Sequence, residues 1–318
     1  MHNANIEMRV ALISEIEKLM EKDKRIVFVD ADLGKAGCTL KLREKFPERA
    51  LDVGVAEQNM ASVAAGLSSY GFIPFISSFT SFATRRIADQ IAISISYAGS
   101  NVKIIGLDPG ITAELNGGTH MSFEDVGIIR SIPGTVIFEP VDVIQLVKAL
   151  PQIVDYKGVI YIRLFRKKAP KVFNDNYEFN LFKADVLKEG NDVSIFATGI
   201  TVNESMKAVE ILNKRGIDTE LINVHTIKPI DKETIVSSIK KTKAVVTCEN
   251  HNIFGGLRSA VAEVMTEEYL CAPFKYIGVH DCFGEVGKYD YLIKRYKLSA
   301  DDIVEKTLEA VSTKKMSM

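Results

Sequence analysis

The chain has 318 residues, 47% of them hydrophobic and 25% charged, with 40 basic residues against 41 acidic ones. That length suits two domains with a sizeable core, and the near-neutral balance gives no bulk-charge reason to expect nucleic acid or an anionic membrane as partner. Four cysteines, Cys38, Cys248, Cys271 and Cys282, form neither a CxxC pair nor a zinc spacing, and the N-terminus shows no signal-peptide core. A reducing cytoplasm is the expected compartment, without a disulfide framework or a structural metal.

Residues 6–22 carry Ile6, Val10, Ile13, Ile16, Leu19 and Met20 at helical spacing, which predicts a helix leading into a strand at 25–29. That strand runs into Asp30-Ala-Asp-Leu-Gly34, and polar residues at the carboxyl ends of strands are where open α/β sheets place ligands. A short helix near 40–46 and a strand over 50–55 follow. The stretch Asp52-Val-Gly-Val-Ala-Glu-Gln-Asn-Met60 then sets a single carboxylate, Glu57, at the head of a helix running to Tyr70. The small residues after it let that first turn pack closely, and a buried carboxylate needs a partner or a task.

A strand at 72–76, a long helix at 79–97 and a strand at 102–107 continue the alternation. From Asp108 to Thr119 the rhythm gives way to glycines, a proline and little periodicity; an interruption of about 12 residues inside a tight α/β unit is more often functional than idle. A helix near 123–130, a strand at 135–138, a helix at 141–154 and a strand at 159–163 complete the first unit. Residues 165–190, rich in Lys, Asn and Pro, read as the connection, giving domains at 1–170 and 191–318 with a linker at 171–190. The second unit has expected strands at 193–197, 219–224, 244–247 and 274–278. Its helices are expected at 205–215, 232–240, 257–269 and 288–296, with a terminal helix from 300. Such repetition predicts an α/β fold of two domains, both with mostly parallel sheets flanked by helices.

Three constellations carry chemistry. Glu57 can be an ordinary helix-start acid favoured by the helix dipole, or an acid beside an apolar slot walled by Phe75, Phe79 and Phe82, suited to share a proton with a heterocyclic nitrogen. Asn116-Gly-Gly-Thr-His120 is either a surface loop or a sharp turn presenting His120 ahead of a helix that begins near Glu124-Asp125. Arg9, Arg85, Arg86, Arg163 and Arg166 are available to anions or to surface acids. Gly255-Gly256 before a helix is read as packing rather than an anion site.

Ala31-Asp-Leu-Gly34, Phe46-Pro-Glu-Arg49, Asp52–Met60, Ser77-Ser-Phe-Thr-Ser-Phe82, Asp89-Gln-Ile91, Gly117-Gly-Thr-His120 and Ile132-Pro-Gly134 together resemble the C-terminal half of transketolases. The likeness continues through Phe196-Ala-Thr-Gly199 and Asp281-Cys-Phe-Gly284. The resemblance implies a pyrimidine-binding domain for thiamine diphosphate followed by the family's C-terminal domain. It implies that Glu57 bonds to N1′ of the aminopyrimidine and promotes the imino form that takes the thiazolium proton. The cofactor then serves as electron sink for transfer of a two-carbon ketol unit from a ketose donor to an aldose acceptor. By the same resemblance Phe79 and Phe82 pack on the pyrimidine, Asp32 lies beside the cofactor, and His120 faces substrate hydroxyls, where a neutral imidazole relays protons. Arg9 and Arg166 match the family's phosphate-binding arginines.

The family's Gly-Asp-Gly motif, which with a later Asn holds the diphosphate and its magnesium or calcium, occurs nowhere in the chain. The implied arrangement is a split enzyme: a separate N-terminal subunit supplies the diphosphate domain and the metal, in an α2β2 assembly, and this chain alone self-associates and is inactive. Three positions depart from the family. Asn116 stands where an acid usually reads a substrate hydroxyl, and Asp108 where a histidine usually lies near the substrate phosphate; Ala36 falls near the place of a phosphate-site serine. Asp108 near a phosphate would oppose it, which points to an unusual substrate: a modified ketose, a different acceptor, or an unphosphorylated terminus. Alternatives are the β subunit of a 2-oxo acid dehydrogenase, a deoxyxylulose phosphate synthase, and a non-catalytic assembly partner of the same fold.

Overall fold

The computed structural model describes residues 6–316. The first unit runs α1 (Met8–Lys22), β1 (Ile26–Asp30), α2 (Leu40–Lys45), β2 (Ala50–Asp52), α3 (Glu57–Ser69), β3 (Ile73–Phe79), α4 (Thr80–Ala83), β4 (Lys103–Leu107), α5 (Asp125–Ser131), β5 (Thr135–Phe138), α6 (Val143–Asp155) and β6 (Val159–Leu164). The second runs β7 (Asp185–Lys188), β8 (Val193–Ala197), α7 (Ile200–Lys214), β9 (Thr219–Asn223), β10 (Thr226–Lys228), α8 (Lys232–Thr242), β11 (Val245–Asn252), α9 (Leu257–Glu267), β12 (Phe274–Val279), α10 (Tyr289–Arg295) and α11 (Ala300–Met316).

The strands of the first sheet lie in the order β10-β5-β6-β4-β3-β1-β2, and those of the second in the order β12-β11-β8-β9-β7. Every pairing is parallel except those of two of the four edge strands, β10 on β5 and β7 on β9. Because both sheet faces are covered, the inner strands are apolar runs whose alternate residues enter different layers. Phe28, Phe75 and Ile105 meet α1 and α6 on one side, while Val27, Ile76 and Ile104 meet α3 and α5 on the other. Phe75 therefore lies in the core and adds nothing to the aromatic slot expected from the sequence.

Four features differ from the sequence expectation. The helix expected over 79–97 is broken: β3 extends to Phe79, one turn of α4 follows, Thr84 takes a non-helical conformation, and residues 90–97 form a π-helix. Residues 110–116 of the expected loop wind into a 3₁₀ stretch interrupted at Glu114, whose φ is +47°. The connection contributes β7 to the second sheet. Finally β10, unforeseen, leaves the second unit to extend the first sheet. The two sheets are thus tied by backbone hydrogen bonds as well as by packing. Among the described residues no helix is long and apolar enough to cross a membrane.

Candidate active site

Strand register builds the site. Phe79 pairs with Leu107 and Leu107 with Leu164, while Asp30 pairs with Asp52 and Ser77. Five neighbouring parallel strands therefore end along one edge, and Asp32, Glu57, Phe79, Asp108 and Arg166 lie at or just beyond those ends. This is the edge where parallel sheets bind ligands.

Glu57 opens α3 and is 4% exposed. Its Oε2 accepts a hydrogen bond from Arg86 Nη1 at 3.0 Å, so the buried carboxylate has both the helix N-terminus and a cation beside it. Arg86 in turn lies over the Phe82 ring, its Cζ 4.1 Å from the centroid. Phe79 and Phe82 meet edge to face at 6.4 Å, and the His120 ring touches both, 5.2 Å from Phe79 and 5.0 Å from Phe82. The break after α4 produces this arrangement: Thr80 Oγ1 donates to Leu107 O and Thr84 Oγ1 to Thr80 O, so the turn carrying Phe82 is pinned to β4. His120 has its pKa lowered by burial and by the nearby Arg86 charge, which favours the neutral imidazole.

The second half of the constellation is ionic. Arg166 stacks over the other aromatic, with Cζ 5.0 Å from the Phe79 centroid. Its Nε donates to Asp108 Oδ2 at 2.5 Å and its main-chain N–H to Asp108 Oδ1 at 3.1 Å. Asp108 is 1% exposed and has φ +53°; burial raises its pKa while Arg166 opposes the rise. Arg9 reaches the same place, because its N–H donates to Arg166 O and its Nη1 to Ala36 O at 2.7 Å, the carbonyl that Arg166 Nη1 also approaches at 3.4 Å. Glu7 pairs with Arg9 at 2.7 Å. Two arginines thus converge on one loop, and each already carries a carboxylate.

Glu57, Arg86, Phe82, His120, Phe79, Arg166 and Asp108 form an unbroken series of contacts, with Arg9 at its far end. Two expected residues stand apart. Asp32 is exposed, with φ +59°, and among the described residues only its main-chain N–H is engaged, donating to Asp52 Oδ1 at 2.9 Å. Asn116 is exposed, and its side chain makes no hydrogen bond among the described residues. Arg86 was visible only as one of five scattered arginines; its spacing of four from Phe82 was the available signal. Of the others, Arg85 meets the half-exposed Glu124, whereas Arg163 is fully buried against Asp125 and Glu139 rather than paired with surface acids. At Gly255-Gly256 the amides of Leu257 and Arg258 are taken by the buried carboxyl group of Glu249, whose pKa burial pushes up to about 7.

Comparisons with known proteins identify the family. The family model described as transketolase, pyrimidine binding domain matches residues 4–171, and the one described as transketolase, C-terminal domain matches residues 182–303. The chain belongs to the transketolase family. It is 51% identical over 308 residues to the 6-deoxy-6-sulfo-D-fructose transketolase subunit SqwH of Clostridium sp. (strain MSTE9), covering 96% of this chain and 95% of that protein. It is 39% identical over 305 residues to a putative transketolase C-terminal section of Methanocaldococcus jannaschii, covering 95% of each. A solved structure titled as a split gene transketolase, inactive beta4 tetramer, superposes with TM-score 0.89 at 39% identity, covering 98% of this chain and 99% of that one. This transketolase chain is accordingly the C-terminal subunit of a thiamine diphosphate-dependent enzyme made of two chains.

Proposed function

We propose that this transketolase subunit serves a donor ketose ending in a sulfonate. A two-carbon ketol unit would leave a 6-deoxy-6-sulfoketose for an aldose acceptor, with a four-carbon aldose carrying the sulfonate as the other product. The observation that carries the reading is the Asp108–Arg166 pair. A phosphate monoester holds about −1.5 to −2 charge at neutral pH, whereas a sulfonate holds one. With Asp108 on Arg166 and Glu7 on Arg9, the converging arginines have little uncompensated charge. At about 5 Å and an effective dielectric near 20, each extra negative charge on the ligand would meet roughly 3 kcal/mol of repulsion from Asp108. A monoanion with three acceptor oxygens suits the remaining donors. The relative at 51% identity bears the name of a sulfofructose transketolase.

The residues present suit the pyrimidine end of thiamine diphosphate: a buried acid, an edge-to-face aromatic pair, and the hydroxyls of Ser78 and Ser81 on either side of Phe79, buried without a hydrogen-bond partner among the described residues. When bound, the cofactor supplies an electron sink for the carbon–carbon cleavage. Glu57 would hold a proton toward the ring nitrogen, Phe79 and Phe82 would orient the ring, and neutral His120 would move protons at substrate hydroxyls. Asp32 and Asn116, on the same rim, are assigned to cofactor and sugar. The family's Gly-Asp-Gly motif does not occur in the chain, and in this reading the diphosphate and its Mg2+ or Ca2+ are bound by a separate N-terminal subunit. In the same reading that subunit covers this rim in an α2β2 assembly. The compartment that fits four free thiols is the cytoplasm.

The test is reconstitution with the N-terminal subunit and thiamine diphosphate, comparing kcat/KM for 6-deoxy-6-sulfofructose, fructose 6-phosphate and xylulose 5-phosphate. A preference of at least about tenfold for the sulfonate is expected, equivalent to about 1.4 kcal/mol. Preference for a phosphate would remove the substrate assignment while leaving the subunit a transketolase.

A further inference from the structure

The segment that carries Asp108, Asn116 and His120 belongs to the first unit and is tied to it through Arg166 and Lys167, yet further contacts that hold it come from the second. At its start, Asn250, in β11, holds the backbone on both sides of Gly110. Its Oδ1 accepts from Ile111 N at 3.0 Å and its Nδ2 donates to Pro109 O at 3.0 Å. A Cβ at Gly110 would lie 2.3 Å from Asn250 Oδ1, and Gly110 has φ +56°. The fit between this side chain and that glycine therefore has no slack.

At its end the segment meets the stretch after β12. A Cβ on Gly118 would stand 2.3 Å from the carbonyl oxygen of Gly284, one on Gly284 would stand 2.4 Å from Met121 Sδ, and one on Gly117 would stand 2.7 Å from Val286. Backbone from the second unit thus lies directly on the turn that presents His120. The stretch is itself braced, because Tyr296 Oη donates to Phe283 O at 3.1 Å and the Tyr296 ring packs edge to face on Phe123 at 5.2 Å. Just past the second clamp, Asn252 N donates to Phe123 O at 2.8 Å.

We infer that the second unit is the jig of the substrate loop, with Asn250 positioning the Asp108 end and Gly284 positioning the His120 end. Neither residue touches the slot; each acts through the loop it holds. The loop needs an external support because Glu114 at φ +47° and the poorly hydrogen-bonded 3₁₀ winding of residues 110–116 give it little stability of its own. The C-terminal domain of the subunit thereby has a task in substrate geometry although it contributes no side chain to the slot. The inference rests on the assignment of Asp108 and His120 to the substrate side.

The experiment uses the reconstituted two-chain enzyme with 6-deoxy-6-sulfofructose and xylulose 5-phosphate as donors and three variants: Asn250→Ala, Gly284→Ala and His120→Ala. A misplacement of about 1 Å is enough to cost about a hundredfold, so Gly284→Ala is expected to lower kcat by about that factor with both donors. Asn250→Ala is expected to raise KM about tenfold while kcat falls less. Unfolding midpoints of the isolated variants and their co-purification with the N-terminal subunit confirm that folded, assembled enzyme is being assayed. If His120→Ala lowers turnover but both seam variants keep kcat and KM within about threefold of wild type, the loop holds itself and the inference fails. If the seam variants lose only kcat, in proportion to lost folded protein, they are merely structural and the inference also fails. If His120→Ala has no effect, the site assignment falls, and this inference with it.

Discussion

Arg86 is the residue on which the slot's electrostatics turn. It donates to Glu57, covers Phe82, and places a positive charge near His120, whose pKa is lowered first by burial and second by that charge. Replacing it with Met keeps most of the stem over the ring and removes the charge. Protonation of His120 then becomes easier, so the folded-state pKa rises toward the ordinary imidazole value. Activity requiring neutral His120 is lost as pH falls through that pKa, and the acid limb of the kcat/KM profile should therefore move to higher pH in Arg86→Met. An unmoved acid limb would show that another group sets it. In the same preparation Glu57→Ala should lower turnover by at least about a thousandfold with assembly intact; persistent activity would remove Glu57 from the mechanism. Glu57, Phe79, Phe82 and His120 were legible because local spacing exposes them. Arg86 was not, because which acid an arginine finds is decided by a break in the chain path that spacing does not reveal.

At the level of elements, the inner strands could be read closely because each is buried on both faces and appears as an apolar run; β5 and β8 have the bounds the sequence predicts. The short edge strands β7 and β10 were not legible, since their pairing is non-local and their residues are polar enough to pass for a loop. The sequence predicts one continuous helix after β3 because Ile87, Ile91 and Ile95 keep a spacing of four from the 3₁₀ turn at 85–87 into the π-helix, and all three are buried in the layer that holds α3. The turn after β4 is an element with its own electrostatics. Asp108 closes it on Arg166, so Asp108→Asn retains a hydrogen-bond acceptor there while deleting one negative charge from the anion end. KM for xylulose 5-phosphate is expected to fall about tenfold, and KM for 6-deoxy-6-sulfofructose to change less, because a dianion is repelled more than a monoanion. Equal changes for both donors, measured at one ionic strength, would show that Asp108 does not sort anions by charge.

For the whole molecule the decisive contact is the buried ionic cluster between the sheets. Arg163 Nε and Nη2 grip Asp125 at 2.7 and 3.2 Å, Nη1 reaches Glu139 at 2.6 Å, and Nη2 also donates to Asn250 O at 2.7 Å. Tyr161 and Thr198 supply further donors to the two carboxylates, and Gly199, at φ +54°, lets β8 turn tightly beside Glu139. Arg163 pulls the pKa of Asp125 down against desolvation, whereas burial dominates at Glu139 and raises it. Together with β10 this cluster should make the two units unfold as one. Arg163→Met fills the space but leaves two buried carboxylates without their cation, and loss of one partner from a buried ionic group costs about 3–5 kcal/mol. The pH dependence has a definite sign. In the variant both carboxyls have folded-state pKa values raised above their unfolded ones, so they fold protonated, and stability present below the unfolded pKa is lost as pH rises. The gap between wild type and Arg163→Met in urea unfolding should therefore be wider at pH 8 than at pH 5. It should also be accompanied by transitions of the two units that no longer coincide when followed by separate probes. Equal stability of the two proteins at pH 8 would mean that β10 and apolar packing alone hold the sheets together.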